Sequence, residues 1–156
     1  MVPWLPLGAV VLHLIEEFAW PGGFPAWYRR YVPSGAASIT TSRLLRVNAL
    51  FVAMAAVAGI LFPRPYGVAL WLIVASIGAA NAFFHLWATV KMREYSPGLV
   101  TGLLLYLPLA AYGFYAFAVK GLASRSTLAQ AALVGPAYHL YLAYRHRRRA
   151  ATLESS

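Results

Sequence analysis

The stretch Gly67-VALWLIVASIGAANAFFHLWAT-Val90 lies between Arg64 and Lys91 without one charged side chain. About 20 consecutive apolar residues suffice to cross a bilayer as a helix, so this run is read as a transmembrane span. Working outward, Pro63-Arg64-Pro65 is a turn, and Val47 to Phe62 before it is a second apolar run. Lys91, Arg93 and Glu94 close the central span. Ser96-Pro97 then has the form of a helix start, with serine as N-cap and proline at the first helical position, and the run continues to Val119. Thr127 to Tyr144 makes a further span, with Gly135-Pro136 expected to kink it and open the bundle, and Arg145 to Arg149 stopping it. The first span is Val2 to Trp20. It does not read as a signal peptide, because no basic residue precedes it and its first charge is Glu16. A polar connection from Pro21 to Arg46 joins it to the second.

Composition agrees. Hydrophobic residues make up 61% and charged residues 11%, with a mean hydropathy of +0.63. A soluble domain carries about 25% charged residues. Five spans of ~20 residues need ~100 apolar positions, and 61% of 156 residues is about 95. The expected fold is all-α: a polytopic membrane bundle of five transmembrane helices forming one domain over residues 1–150, with 151–156 an appended tail. No cysteine is present, which excludes disulfides, thiolate metal sites and cysteine nucleophiles.

The net charge of +9 raises the question of nucleic acid, and the positions of the charges answer it. Arg29, Arg30, Arg43 and Arg46, then Lys91 and Arg93, then Arg145, Arg147, Arg148 and Arg149 fall on one side of a five-span chain. Arg64, Lys120 and Arg125 fall on the other. The bias toward cytoplasmic Lys and Arg places the N-terminus outside and the C-terminus in the cytoplasm. The expected partner is therefore the lipid bilayer, in a bacterial or archaeal plasma membrane, and not nucleic acid. Small residues in the second and third spans (Ala53, Ala55, Ala56, Ala58 and Gly59; Gly78, Ala79 and Ala80) permit close helix contacts, within one chain or in a homo-oligomer. Trp4, Trp20 and Trp27 read as interfacial belt residues, and Phe83 and Phe84 as packing or lipid-facing groups.

Ionisable side chains inside spans are costly and mark candidate sites. His13, Glu16 and Glu17 stand at i, i+3 and i+4, and Asn81 and His85 at i and i+4. His139 follows Gly135-Pro136. Measured from the cytoplasmic end of each span, His13 lies ~10 Å deep, Glu16 and Glu17 ~5 Å, His85 ~9 Å, His139 ~8 Å and Tyr106 ~12 Å. Three histidines from three helices thus share one slab of the inner leaflet. Imidazoles with carboxylates form a nitrogen/oxygen set suited to a divalent metal, zinc or iron. The expected ligands are His13, Glu17, His85 and His139. Glu16 is then the base that activates water, or a partner fixing an imidazole tautomer, and the two glutamates can exchange roles. Asn81 and Tyr106 are expected beside the site or against substrate. A plainer reading pairs Glu16 and Glu17 with Arg29, Arg30 or Arg43 as interface anchors.

The run His13-Leu14-Ile15-Glu16-Glu17 resembles the signature of the HXXEE-domain family of small membrane proteins. That family carries a further histidine and a Tyr-x-Pro-Gly motif, matched here by His85 and by Tyr95-Ser96-Pro97-Gly98. The resemblance covers roughly residues 10 to 100. It implies that His13, Glu16, Glu17, His85 and Tyr95 matter, and it supplies no activity. Tyr95 is expected to fold back over the site as a hydrogen-bonding or proton-transfer group.

The leading expectation is a metal-dependent membrane enzyme, hydrolase or oxidoreductase, acting on a lipid-soluble small molecule. Two others stand beside it. One is a metal-free acid–base isomerase using Glu16, Glu17 and His85. The other is a transporter or ion-binding protein, against which stands the absence of a polar trail across the outer half.

Overall fold

The computed structural model describes residues 2–19, 23–32 and 39–154, and among them every regular element is helical. A short 3-10 turn, Val2–Trp4, leads into α1 (Leu5–Ala19). Then come α2 (Gly23–Tyr31), α3 (Thr41–Leu61), α4 (Pro65–Met92), α5 (Leu99–Val119) and α6 (Arg125–Glu154). Four helical stretches are long and apolar enough to cross a membrane: Val2–Ala19, α3, α4 and α5. The expected fifth span is a helix of 30 residues but falls outside that set, because it carries Gln130, His139 and the arginine run.

Several boundaries differ from expectation. The connection read as 21–46 contains α2, and Arg43 and Arg46 already belong to α3, whose first turn is capped by the Thr40 hydroxyl. The arginine run does not stop α6, which continues through it to Glu154. Arg145 and Arg148 lie over the rings of Tyr141 and Tyr144 one turn back, which suits a helix better than a break. Trp20 lies outside the described residues. Trp27 is buried rather than interfacial, and stacks on Phe24.

Helix α4 is the centre, with α1, α3, α5 and α6 all packed against it. Its inward face carries Trp71, Leu72, Ala75 and Ala82 into the main core, and the Trp71 indole donates to the carbonyl of Val2 at 3.1 Å. The polarity is inverted relative to a water-soluble bundle. His13, Glu17, Ser76, His85 and Ser96 are buried, whereas Leu50, Ile60, Phe83, Val90, Leu104 and Leu140 are exposed. An apolar exterior with polar groups kept inside is the arrangement a lipid solvent selects.

The α4–α6 seam is very close. A Cβ at Gly135 would meet the Ser76 carbonyl oxygen at 2.2 Å. Pro136 has no N–H for the Ala132 carbonyl one turn back. The Ser76 hydroxyl donates to that carbonyl at 3.2 Å and accepts from the Gly135 N–H at 3.1 Å. The helix runs on through Pro136 to Glu154, and His139 is held toward α4.

Candidate metal centre

Helix α1 brings His13 and Glu17 to one face, one turn apart, and α4 brings Asn81 and His85 opposite them. The Glu17 Oε1 atom lies 3.4 Å from His13 Nε2 and 3.3 Å from His85 Nε2. Ligand atoms of the three residues fall within 4.8 Å of one another. All three side chains are buried, His85 completely. A tetrahedral site with bonds of about 2.0–2.1 Å has edges of about 3.3–3.4 Å between ligands, which is the spacing from the carboxylate to each imidazole. The anchor reading fails here: among the described residues the ion pairs of Glu17 run to the two histidines and not to arginine.

The hydrogen bonds assign the protons. Thr101 Oγ1 donates to Glu16 Oε2, so it must accept from His13 Nδ1, 2.8 Å away. His85 Nδ1 is 2.9 Å from the Ser96 hydroxyl. The Nε2 lone pair of His13 therefore faces Glu17, and His85 turns its Nε2 to the same carboxylate while its Nδ1 shares a proton with the Ser96 hydroxyl. The Asn81 amide nitrogen sits 2.9 Å and 3.2 Å from those same Nε2 atoms. Opposite it, Asn81 Oδ1 is 3.4 Å from His139 Nε2. His139 Nδ1 lies 3.1 Å from the Gly135 carbonyl, which can only accept, so Nδ1 carries the proton and Nε2 a lone pair. Two acceptors therefore face each other across Asn81 and His139, and the Glu17 carboxylate faces the His13 lone pair. Such a surplus of acceptors calls for a cation or for added protons.

Glu16 is turned away from this cluster, about 100° round α1 from Glu17. Its oxygens accept from the backbone N–H groups of Gly98, Val100 and Thr101 at 2.7–3.0 Å, and from the hydroxyls of Thr101 and Tyr95. It thus caps the N-terminus of α5, whose unpaired N–H groups and positive dipole end favour an anion. This corrects the expected serine cap. The residue at the cap position is Gly98, and the Ser96 hydroxyl is drawn instead to His85. Tyr95 does fold back, but onto Glu16. Burial and then the Glu16 contact push its hydroxyl up to about 12, so it remains a donor at neutral pH.

Gly98 has φ of +102°, and a Cβ there would lie 2.7 Å from His13 and 2.9 Å from His85. Only glycine lets this backbone reach both imidazoles. Beyond it, α5 widens into a π turn over Gly102–Tyr106, just before Pro108, and delivers Tyr106 against the His13 ring at 4.6 Å between centroids. Thr101, Ser96 and Gly98 are functional candidates that the sequence reading passed over as ligand supports. The hydroxyl pair flanking the Tyr-x-Pro-Gly turn was the available signal.

His139 joins the cluster through Asn81 and stays outside the three-residue ligand group. It lines a mostly apolar cavity of about 240 Å³ together with His13, Glu17, Asn81, Tyr106 and Phe51. Helices α3 and α6 form the two walls, each packed chiefly on α4 rather than on the other.

An all-helical protein with four helices apolar enough to cross a membrane, and a buried His/Glu centre beside an apolar cavity, is the class these features define. The family model described as "Protein of unknown function with HXXEE motif" matches residues 4–113, and the chain belongs to that family. It is 34% identical over 120 residues, 73% of each chain, to the uncharacterized protein YrkK of Bacillus subtilis (strain 168). No solved structure matches it. The matched region contains the HXXEE and Tyr-x-Pro-Gly elements, while α6, with His139, lies beyond it.

Proposed function

We propose that this protein is a metal-dependent membrane enzyme acting on a lipid-soluble substrate, by hydrolysis or oxidation. The observation that carries the reading is the convergence of His13 Nε2, His85 Nε2 and Glu17 Oε1, with each imidazole held at Nδ1 by a hydroxyl. Two imidazoles and one carboxylate leave positions open for a reactant, a set that suits zinc hydrolysis or iron oxidation. Turning the Asn81 amide end for end points its N–H at His139 Nε2, which removes that clash, and adds its oxygen to the acceptors gathered at the centre, an arrangement that a cation would balance. A bound divalent ion would activate water or polarise a substrate oxygen here.

The protein's own groups then divide the work. Glu16 is a positioning residue: it holds Thr101, which holds His13, and it ties α5 to α1. Tyr95 completes that clamp. His139, across Asn81 and facing the cavity, accepts a proton from the reactant. The cavity admits an apolar molecule, and α6 is the fifth crossing, with the N-terminus outside and the basic end of the bundle in the cytoplasm.

Elemental analysis of detergent-purified protein tests the reading. Wild type is expected to hold about one zinc or iron per chain, and His13→Ala, His85→Ala and Glu17→Ala each to lose it together with stability. Full occupancy in all three variants overturns the metal assignment. Absence of metal from wild type, with Glu17→Gln inactive but folded, instead supports a metal-free acid–base site in which a proton joins Glu17 to an imidazole.

A further inference from the structure

The chain has four acidic residues, Glu16, Glu17, Glu94 and Glu154, and the first two are committed inside the bundle. Ten of its thirteen basic residues nevertheless fall in the segments assigned above to the cytoplasmic side, and the cavity lining reaches those segments at Tyr28, Leu44 and His146. There α3 carries Arg43 and Arg46, and α6 carries Arg145 and Arg149, whose charges all act on Arg43. Arg43 and Arg149 in turn act on His146, which lines the cavity beside Tyr28 and Leu44. The Nη1 atom of Arg43 is buried and has no hydrogen-bond partner among the described residues. A buried guanidinium nitrogen without an acceptor, among like charges, is costly unless an anion joins it.

From this end the cavity runs inward along apolar side chains, Leu44, Val47 and Phe51 on one wall and Leu142 on the other. His146 and His139 are seven residues apart on α6, so the metal-binding candidates lie about 10 Å deeper than the basic mouth. We infer that the ligand of this cavity is an anionic amphiphile, its phosphate or carboxylate head among Arg43, Arg145 and Arg149 and its hydrocarbon chain extending to the His13/His85/Glu17 cluster. The inference names the substrate class for the site and rests on the reading of that cluster as the reactive centre. It also places the reacting position about 10 Å along the chain, away from the head. Arginine suits the role because its planar fork pairs two oxygens of a phosphate or carboxylate.

The test uses full-length protein in neutral detergent, with metal content measured on every sample. The probes are dodecyl phosphate, dodecanoate, dodecanol and inorganic phosphate, each scored by the rise in unfolding temperature it causes. Dodecyl phosphate and dodecanoate are expected to stabilise, and dodecanol and inorganic phosphate to do so at least tenfold less effectively. Arg43→Gln should weaken dodecyl phosphate at least tenfold, and Val47→Phe, which narrows the cavity and leaves every charge in place, should weaken it as well. Equal binding of dodecanol overturns the anionic head, and equal binding of inorganic phosphate reduces the site to a free-anion site. Nanodiscs of phosphatidylglycerol against phosphatidylcholine separate a bulk headgroup from a cavity ligand. Stabilisation by phosphatidylglycerol that survives Val47→Phe, with no dodecyl phosphate binding, overturns the cavity ligand. Metal present without anion preference refutes this inference alone. Arg43-dependent binding without metal refutes the metal reading alone.

Discussion

At Thr101 one hydroxyl donates to Glu16 and accepts from His13 Nδ1, so a single side chain settles which imidazole nitrogen faces the centre. Thr101→Val keeps the shape and removes that link, and the Thr101 N–H still reaches Glu16. The expected outcome is a folded protein whose metal affinity, measured by competition with a chelator, falls roughly 10–100-fold, the usual cost of losing a partner that orients a ligand. Unchanged affinity would mean that His13 needs no orientation from α5. The pairing of His13 with Glu17 was legible from their spacing on one helix. The opposite duty of Glu16 was not, because i+3 and i+4 point about 100° apart and only the position of α5 shows which one meets the N–H groups.

Among the elements, α6 shows how a local signal can be neutralised by a neighbour. Gly135-Pro136 read as a kink, and in isolation the Ala132 carbonyl would lack its donor. Ser76 on α4 supplies one from outside the helix, and Gly135 allows the approach. Ser76→Ala is expected to cost about 1–3 kcal/mol, the penalty of an unsatisfied buried group. In a Pro136→Ala background, where the backbone N–H returns, the same change should cost markedly less. The cycle is read from unfolding in detergent, and equal penalties in both backgrounds would assign Ser76 to packing alone. The serine cap expected at position 96 failed for a related reason: a buried imidazole competes for the hydroxyl, and Glu16 from another helix does the capping.

For the whole molecule, α6 decides the topology. Its 30 residues extend ~45 Å at 1.5 Å per residue, enough to cross, and it runs along α4, which is itself apolar enough to span. Its polar positions His139 and Gln130 set it apart from the four more apolar spans. With five crossings, a reporter active only outside the cytoplasm should be silent at the C-terminus and active when inserted after Leu122. The reverse pattern overturns the orientation, and activity at neither point places both ends of α6 in the cytoplasm.

Apolar runs in the sequence were enough to establish an all-helical architecture, because a backbone surrounded by lipid must satisfy its own hydrogen bonds and a helix does so within one segment. Residue rise along each expected span also gave His13, His85 and His139 one expected level. Which of those groups meet depends on how the helices pack. Rotation of each helix about its axis, set by the packing of Gly135 on Ser76 and of Gly98 on both imidazoles, turns Glu17 toward the histidines and Glu16 toward α5. The physical reason is that apolar periodicity is nearly absent from a helix surrounded by lipid on one side and protein on the other. Rotational register is then fixed by contacts between helices far apart in the chain.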